Sequence, residues 1–301
     1  MGLTDNQQQL IRAIANDNIQ QAKKCALDCV IEDTTQKNQY FCKKYRQVLE
    51  NSGGNLIELP DNLKGILQME DVSNSFRDDR YYLSDREKSV FDNIVRMKKV
   101  NEKLIEIGIP YINSTLLYGE SGTGKTTFGR YVAYKTGLPF CYLNFSNLID
   151  SYMGSTSKNI SKAFNYAIST PCVFMLDEVD CISIKRSETS GNSSGEMARI
   201  TITLMQEFDR LPNNIVVIGA TNRIDRIDEA LLRRFSLKHK VETLSYIERI
   251  NLLNKFIEDI NMKFSDEEIR EIAEQNENQS MLLNELIRRI SQGIYEEILN
   301  E

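Results

Sequence analysis

The chain has 301 residues, 41% of them apolar, with 37 basic and 43 acidic side chains and a net charge of −6. That length leaves room for two or three domains with real cores, and the acidic balance argues against a whole-protein electrostatic grip on DNA or RNA. The opening MGLTDNQQQL has neither a basic nor an apolar segment, and no apolar run approaches the roughly 20 residues of a bilayer crossing, so a soluble, cytoplasmic protein without membrane insertion is expected.

Leu10, Ile11, Ile14, Ile19, Ala22, Cys25, Ala26, Cys29 and Val30 recur at helical spacing, and a further helix is predicted over Gln36 to Leu49. Asn51-Ser52-Gly53-Gly54 ends this stretch as a flexible joint. Residues 1–52 therefore read as an N-terminal helical domain for adaptor or partner binding, and 53–83, with Pro60 and the charged run Arg77-Asp78-Asp79-Arg80, as a linker. Ser84 then starts a long amphipathic helix with Asp85 and Glu87 in its first turn.

Strands and helices alternate from there: STLLY, PFCYLNFS, CVFMLDE, NNIVVIGATN and SLKHKVE, with helical stretches between them. Continuous apolar strands in such alternation predict an α/β domain over 84–243, a parallel sheet with helices on both faces. Residues 244–301 are helical only: Tyr246 to Ile260, Asp266 to Glu274 and Met281 to Leu299, a small all-α domain. The six cysteines form no C-x-x-C pair and read as buried, reduced thiols. The single histidine, His239, lies in an alternating strand and is expected to face solvent.

Between STLLY and the next helix stands Gly119-Glu120-Ser121-Gly122-Thr123-Gly124-Lys125-Thr126, a complete G-x-x-x-x-G-K-[ST] phosphate loop. Glycines let successive N–H groups curl around an anion, and the helix N-terminus adds partial positive charge. Lys125 supplies a mobile ammonium, and the Thr126 hydroxyl is suited to Mg²⁺. Gly119 through Thr126 together with Thr127 are thus the candidate contacts to ATP. CVFMLDE ends in Asp177 and Glu178, at the sheet edge where ligands of such folds bind. Asp177 would hold Mg²⁺ through water, and Glu178 would orient and deprotonate the attacking water. Taken alone the two acids also suit a solvated strand end; about fifty residues after a phosphate loop they do not. Asn222, after the strand Ile215 to Gly219, is locally better read as a turn or cap asparagine.

The run Gly219-Ala220-Thr221-Asn222-Arg223-Ile224-Asp225-Arg226-Ile227-Asp228-Glu229-Ala230-Leu231-Leu232-Arg233-Arg234-Phe235 changes that reading. It resembles the second region of homology of the AAA ATPases, and is most similar to the clade with katanin, spastin and the proteasomal ATPases. The resemblance extends over about residues 84–300. It implies a P-loop NTPase (AAA+) fold with a helical lid, and a self-assembled ring, usually a hexamer, with ATP sites between subunits. It makes Asn222 the sensor of the γ-phosphate and Arg233 and Arg234 arginine fingers for the neighbouring site. It also makes Tyr152-Met153-Gly154 the first pore loop, whose aromatic grips an extended polypeptide, with Lys185 to Arg199 a weaker second one.

Three departures stand out. Ser155 replaces the usual acidic residue after the pore glycine, Ser161 stands where arginine is frequent, and the lid lacks the usual Gly-Ala dipeptide near Ser280-Met281, so no second sensor is named. Three-helix modules at the N-terminus of katanin-like proteins recruit substrates, an analogy of architecture alone. The expected function is ATP-driven remodelling, unfolding or disassembly of a protein by threading. Two alternatives stay open: an ATPase acting on nucleic acid, with Lys98, Lys99, Lys103, Lys158 and Lys162 as a basic surface, and a nucleotide-dependent assembly switch that threads nothing.

Overall fold

The computed structural model of the protein describes residues 3–15, 19–33, 35–50, 57, 59–151, 155–182, 194–260 and 262–300. The chain divides into two compact units, Met1–Ile57 with Ser73–Ser75, and Glu58–Val72 with Phe76–Glu301.

The first unit holds α1 (Asp5–Ala15), α2 (Ile19–Glu32) and α3 (Gln39–Glu50). Its helical periodicity is realised, yet only part of the apolar face is covered. Ala13 and Cys25 are buried, whereas Ile11 and Ile14 remain 52% and 60% exposed. Three short helices enclose too little interior to cover every apolar side chain.

The second unit is built on a six-stranded sheet in the order β1-β3-β4-β5-β2-β6. Its strands are β1 (Gln68–Glu70), β2 (Asn113–Tyr118), β3 (Phe140–Asn144), β4 (Val173–Asp177), β5 (Val216–Thr221) and β6 (Leu237–Lys240). All neighbours are parallel except β1, which runs antiparallel to β3 with Met69 opposite Cys141. The central strands are buried on both faces, as their unbroken apolar sequences require: β5 is buried throughout and β4 up to Asp177. Phe140, Phe174 and Leu117 are fully buried here, each contributing about 1.5–3 kcal/mol by leaving water.

Helix α4 (Asp85–Glu106) starts where the sequence says it should. The Ser84 hydroxyl accepts from the Glu87 amide and donates to the Glu87 carboxylate. Helices α5 (Lys125–Thr136), α6 (Phe145–Ser151), α7 (Thr156–Ser169), α8 (Ser194–Asp209) and α9 (Glu229–Leu232) connect the strands. The lid packs α10 (Tyr246–Ile260), α11 (Asp266–Gln275) and α12 (Gln279–Asn300) around Leu252, Phe256, Ile272 and Leu286.

Two expectations are corrected. Residues 59–83 were expected to belong to a linker, but they are folded: β1 extends the sheet, and Leu59, Leu63, Leu67, Met69, Val72 and Tyr81 are buried. A three-residue strand carries too little periodicity to announce itself beside Pro60. His239 does not simply face solvent; its side chain is only 18% exposed and lies 3.0 Å from the Glu87 carboxylate. No disulfide joins the cysteines among the described residues; Cys25, Cys141 and Cys172 are buried as expected, whereas Cys29, Cys42 and Cys181 are only half-buried.

Candidate nucleotide-binding site

Strand β2 delivers the phosphate loop to the sheet's edge. Gly119 has φ 152°, and a β-carbon there would strike the Val241 carbonyl beyond β6. Gly124 caps α5 at φ 96°, in the left-handed region that side chains resist. Both glycines are therefore required by shape. The N-terminus of α5 then opens directly onto the loop, with its first amide N–H groups unused by the helix.

Lys125 is buried, and its ammonium donates to the carbonyls of Gly119 at 2.9 Å and Glu120 at 2.7 Å. Burial lowers its pKa, while the charges of Asp177 and Asp180 act in the opposite sense. Thr126 Oγ1 donates to Asp177 Oδ2 at 2.7 Å, joining the first turn of α5 to the end of β4. The same oxygen accepts from the Tyr142 hydroxyl at 3.1 Å, and Asp177 Oδ1 accepts the Glu178 amide at 3.0 Å.

Glu178 sits at φ 56° and ψ 44°, the one non-glycine residue with positive φ among the described residues. That conformation turns the chain from β4 into the short 3₁₀ turn Val179–Cys181. Next door, Thr221 Oγ1 donates to Asp180 Oδ1 at 2.6 Å and accepts the Arg223 amide at 2.9 Å, which fixes both sides of Asn222.

These groups surround one cleft of about 270 Å³, lined by Gly122, Gly124, Lys125, Thr126, Thr127, Asp177, Glu178 and Asn222, with Ser121 and Ser280 at its rim. The strand-end acids, Asn222 and most of the sequence-named loop thus come together, but Gly119, Glu120 and Thr123 do not line the cleft; Thr123 Oγ1 instead donates to the Glu120 carbonyl at 2.9 Å. Two lid contacts were not foreseen. Asn278 Nδ2 donates to the Ser121 carbonyl at 2.5 Å, and the Ser280 amide to that of Gly122 at 3.3 Å. Asn278 Oδ1 meanwhile accepts the Ser280 amide at 2.9 Å, capping α12. An asparagine immediately before a helical run is a legible cap, but its second partner, 157 residues away, is not.

The residues fit a Mg–nucleotide. Thr126 and Asp177 present two oxygens, the donor type Mg²⁺ takes. No group of three or more His, Cys, Asp or Glu among the described residues could hold a metal alone. A cation here would accordingly fill its shell with phosphate oxygens and water, as Mg²⁺ does at nucleotide sites.

The two arginines differ. Arg233 is 77% exposed and, among the described residues, pairs with Glu229 at 3.7 Å, whereas Arg234 donates from Nε and Nη2 to the two oxygens of Asp209, both at 2.8 Å. Neither lines the cleft of its own chain. Ser161, standing in place of arginine, donates to Glu207 at 2.7 Å and ties α7 to α8. Tyr152, Met153 and Gly154, and most of the stretch Lys185 to Arg199, lie outside the described residues. Among the described residues no helix is long and apolar enough to cross a membrane.

Residues 115–243 match the family model described as "ATPase family associated with various cellular activities (AAA)". Three curated relatives illustrate the likeness. The "26S proteasome regulatory subunit 8 homolog" of Schizosaccharomyces pombe is 34% identical over 205 residues, 65% of this chain and 51% of that protein. The "Proteasome-activating nucleotidase" of Methanococcus maripaludis is 32% identical over 191 residues, 62% of this chain and 46% of that one. The "ATP-dependent zinc metalloprotease FtsH" of Lachnoclostridium phytofermentans is 35% identical over 158 residues, 52% of this chain and 27% of that one. The chain therefore matches about half or less of the length of these relatives.

Proposed function

With residues 115–243 matching the AAA ATPase family model, we propose that this chain is a ring-forming ATPase of that family that hydrolyses ATP to remodel a protein substrate. The observation that carries the reading is the meeting of Lys125, Thr126, Asp177, Glu178 and Asn222 around one cleft. The likeness to a proteasome-activating nucleotidase, a proteasome regulatory subunit and an ATP-dependent protease supports a protein as the substrate.

The chemistry follows from the residues. Lys125 exchanges its two carbonyl partners for the β- and γ-phosphates, and the loop amides with the α5 N-terminus hold their charge. Thr126 and Asp177 would hold Mg²⁺, which neutralises charge on the phosphate oxygens when bound. Glu178, half-exposed in the cleft, takes the proton of the attacking water, and Asn222 orients that water or the γ-phosphate. Since Arg233 is exposed, pairs with Glu229 only at 3.7 Å among the described residues and does not line its own cleft, its role is in the site of a neighbouring copy. Arg234 is the second finger candidate. This requirement for a neighbour supports a homo-oligomeric ring, taken here as a hexamer, working in the cytoplasm.

Tyr152-Met153-Gly154 is assigned to grip the polypeptide: an aromatic next to a flexible thioether packs against many side chains without choosing one. The N-terminal helices, with exposed Ile11, Ile14 and Phe41, are assigned to partner recruitment. The deciding experiment is a pull-down with Glu178→Gln in the presence of ATP. It should trap an oligomer with a protein client. A variant that still releases phosphate at the wild-type rate would overturn the assignment of the base.

A further inference from the structure

One arm of the site has no counterpart in the motifs. Tyr142 on β3 donates its hydroxyl to Asp177 Oδ2 at 3.1 Å, beside Thr126. The Tyr142 oxygen in turn accepts from Asn144 Nδ2 at 3.1 Å, and Asn144 Oδ1 accepts the Asn147 amide at 3.0 Å. A backbone amide can only donate, so it fixes which end of the Asn144 side chain points where. With its acceptor side filled by Asn144, the tyrosine hydroxyl has its proton directed at Asp177. The bonds therefore form one chain of fixed direction: Asn147 N–H to Asn144, Asn144 to Tyr142, Tyr142 to Asp177.

The two ends of that chain matter. Asp177 is the carboxylate assigned to the metal side of the nucleotide. Asn144 stands immediately before α6 (Phe145–Ser151) and caps its first turn through the Asn147 amide. Helix α6 also anchors in the core through Phe145 and Leu148 and packs against the turn Val179–Cys181 that follows Glu178.

We propose that Tyr142 is a positioning residue for Asp177 and that, through Asn144, it links occupancy of the Mg–nucleotide site to the setting of α6. Partners one step behind a metal-side ligand fix its orientation, and losing one typically weakens metal binding by about 10–100-fold. When a cation draws on Asp177, the Tyr142 hydroxyl must follow or release it, and Asn144 must re-aim or give up its cap. The linkage rests on the ATPase reading of the site above.

The test uses the full chain and two substitutions that spare the packing. Tyr142→Phe removes only the hydroxyl; Asn144→Ser keeps a capping oxygen but loses the donor to Tyr142. Binding of a fluorescent ATP analogue is measured in EDTA and across a Mg²⁺ titration. For Tyr142→Phe, affinity in EDTA should match wild type while half-saturation in Mg²⁺ rises by about tenfold. The chain has no tryptophan, so Ile149→Trp, on half-buried ground within α6, provides a single emission probe. Its response to Mg–ATP should fall by half or more when Asn144→Ser is added. A wild-type protein that binds no nucleotide overturns the ATPase reading and this proposal together. A wild type that binds, with an unchanged Mg²⁺ dependence in Tyr142→Phe, overturns the positioning role alone. An undiminished probe response in Asn144→Ser overturns the linkage.

Discussion

Arg234 and Asp209 face each other as a planar fork, Nε and Nη2 each donating to a separate carboxylate oxygen at 2.8 Å. Arg233, one residue earlier, has no such partner and is 77% exposed. Two adjacent arginines that look equivalent in sequence are therefore held differently, one tied to α8 and one extended. Arg233→Ala should lower ATP turnover by about 10³-fold with nucleotide affinity unchanged, as phosphate release and analogue binding would register. Asp209→Ala costs a partly exposed ion pair worth about 0.2–1 kcal/mol, so the melting temperature should barely move. If Arg234 must leave Asp209 to act, that variant will hydrolyse ATP at least as fast as wild type.

Lys125 and Glu178 should separate binding from chemistry. Lys125→Ala removes a charge-assisted donor to phosphate and should weaken ATP binding by about 10–100-fold. Glu178→Gln keeps the shape of the cleft and should bind ATP normally while hydrolysis slows by about 10²–10⁴-fold. Calorimetric binding and phosphate release on the same preparations measure both.

Asn278 serves two masters, the α12 cap and the Ser121 carbonyl. Asn278→Ala should lose about 1 kcal/mol of stability with the cap. Asn278→Asp keeps a capping oxygen, so its melting temperature should stay close to wild type. Yet the aspartate cannot donate to Ser121 and sets a negative charge beside the phosphate loop. ATP affinity should therefore fall further in the aspartate variant than in the alanine variant, the reverse of the stability order.

In the lid, Arg288 and Arg289 hold the Glu285 carboxyl down to about 2 by direct hydrogen bonds. A depressed folded pKa stabilises the native state above the unfolded value, near 4.3, and that contribution is lost as pH falls toward 2. Wild-type stability should therefore drop more steeply across that window than the stability of Glu285→Gln. Acid titrations followed by circular dichroism compare the two slopes directly.

Much of the fold was legible because its signals are local. The strand ends at Tyr118 and Asp177 fall within a residue of their expected places, and Ser84 caps α4 as its spacing with Glu87 requires. Most groups named from the motif, and both strand-end acids, line one cleft because the fold brings the C-terminal ends of β2, β4 and β5 to one edge. What stayed hidden depends on pairs distant in sequence. Nothing near Tyr142 indicates that its hydroxyl meets Asp177, 35 residues on. Strand β1 is defined by Met69 lying opposite Cys141, since three residues show almost no periodicity of their own. The arginine pair was legible as chemistry but not as two different roles, because Asp209 lies 25 residues upstream.

The left-handed backbone of Glu178 has one last consequence. A side chain in that conformation costs about 1 kcal/mol or more that glycine would not incur. The position assigned to activate water is therefore one where the fold, left to itself, favours a different amino acid. Glu178→Gly should melt at a higher temperature than wild type while losing turnover. Selection for thermal robustness alone would erase the carboxylate, so its presence marks a place where the chain trades endurance for work.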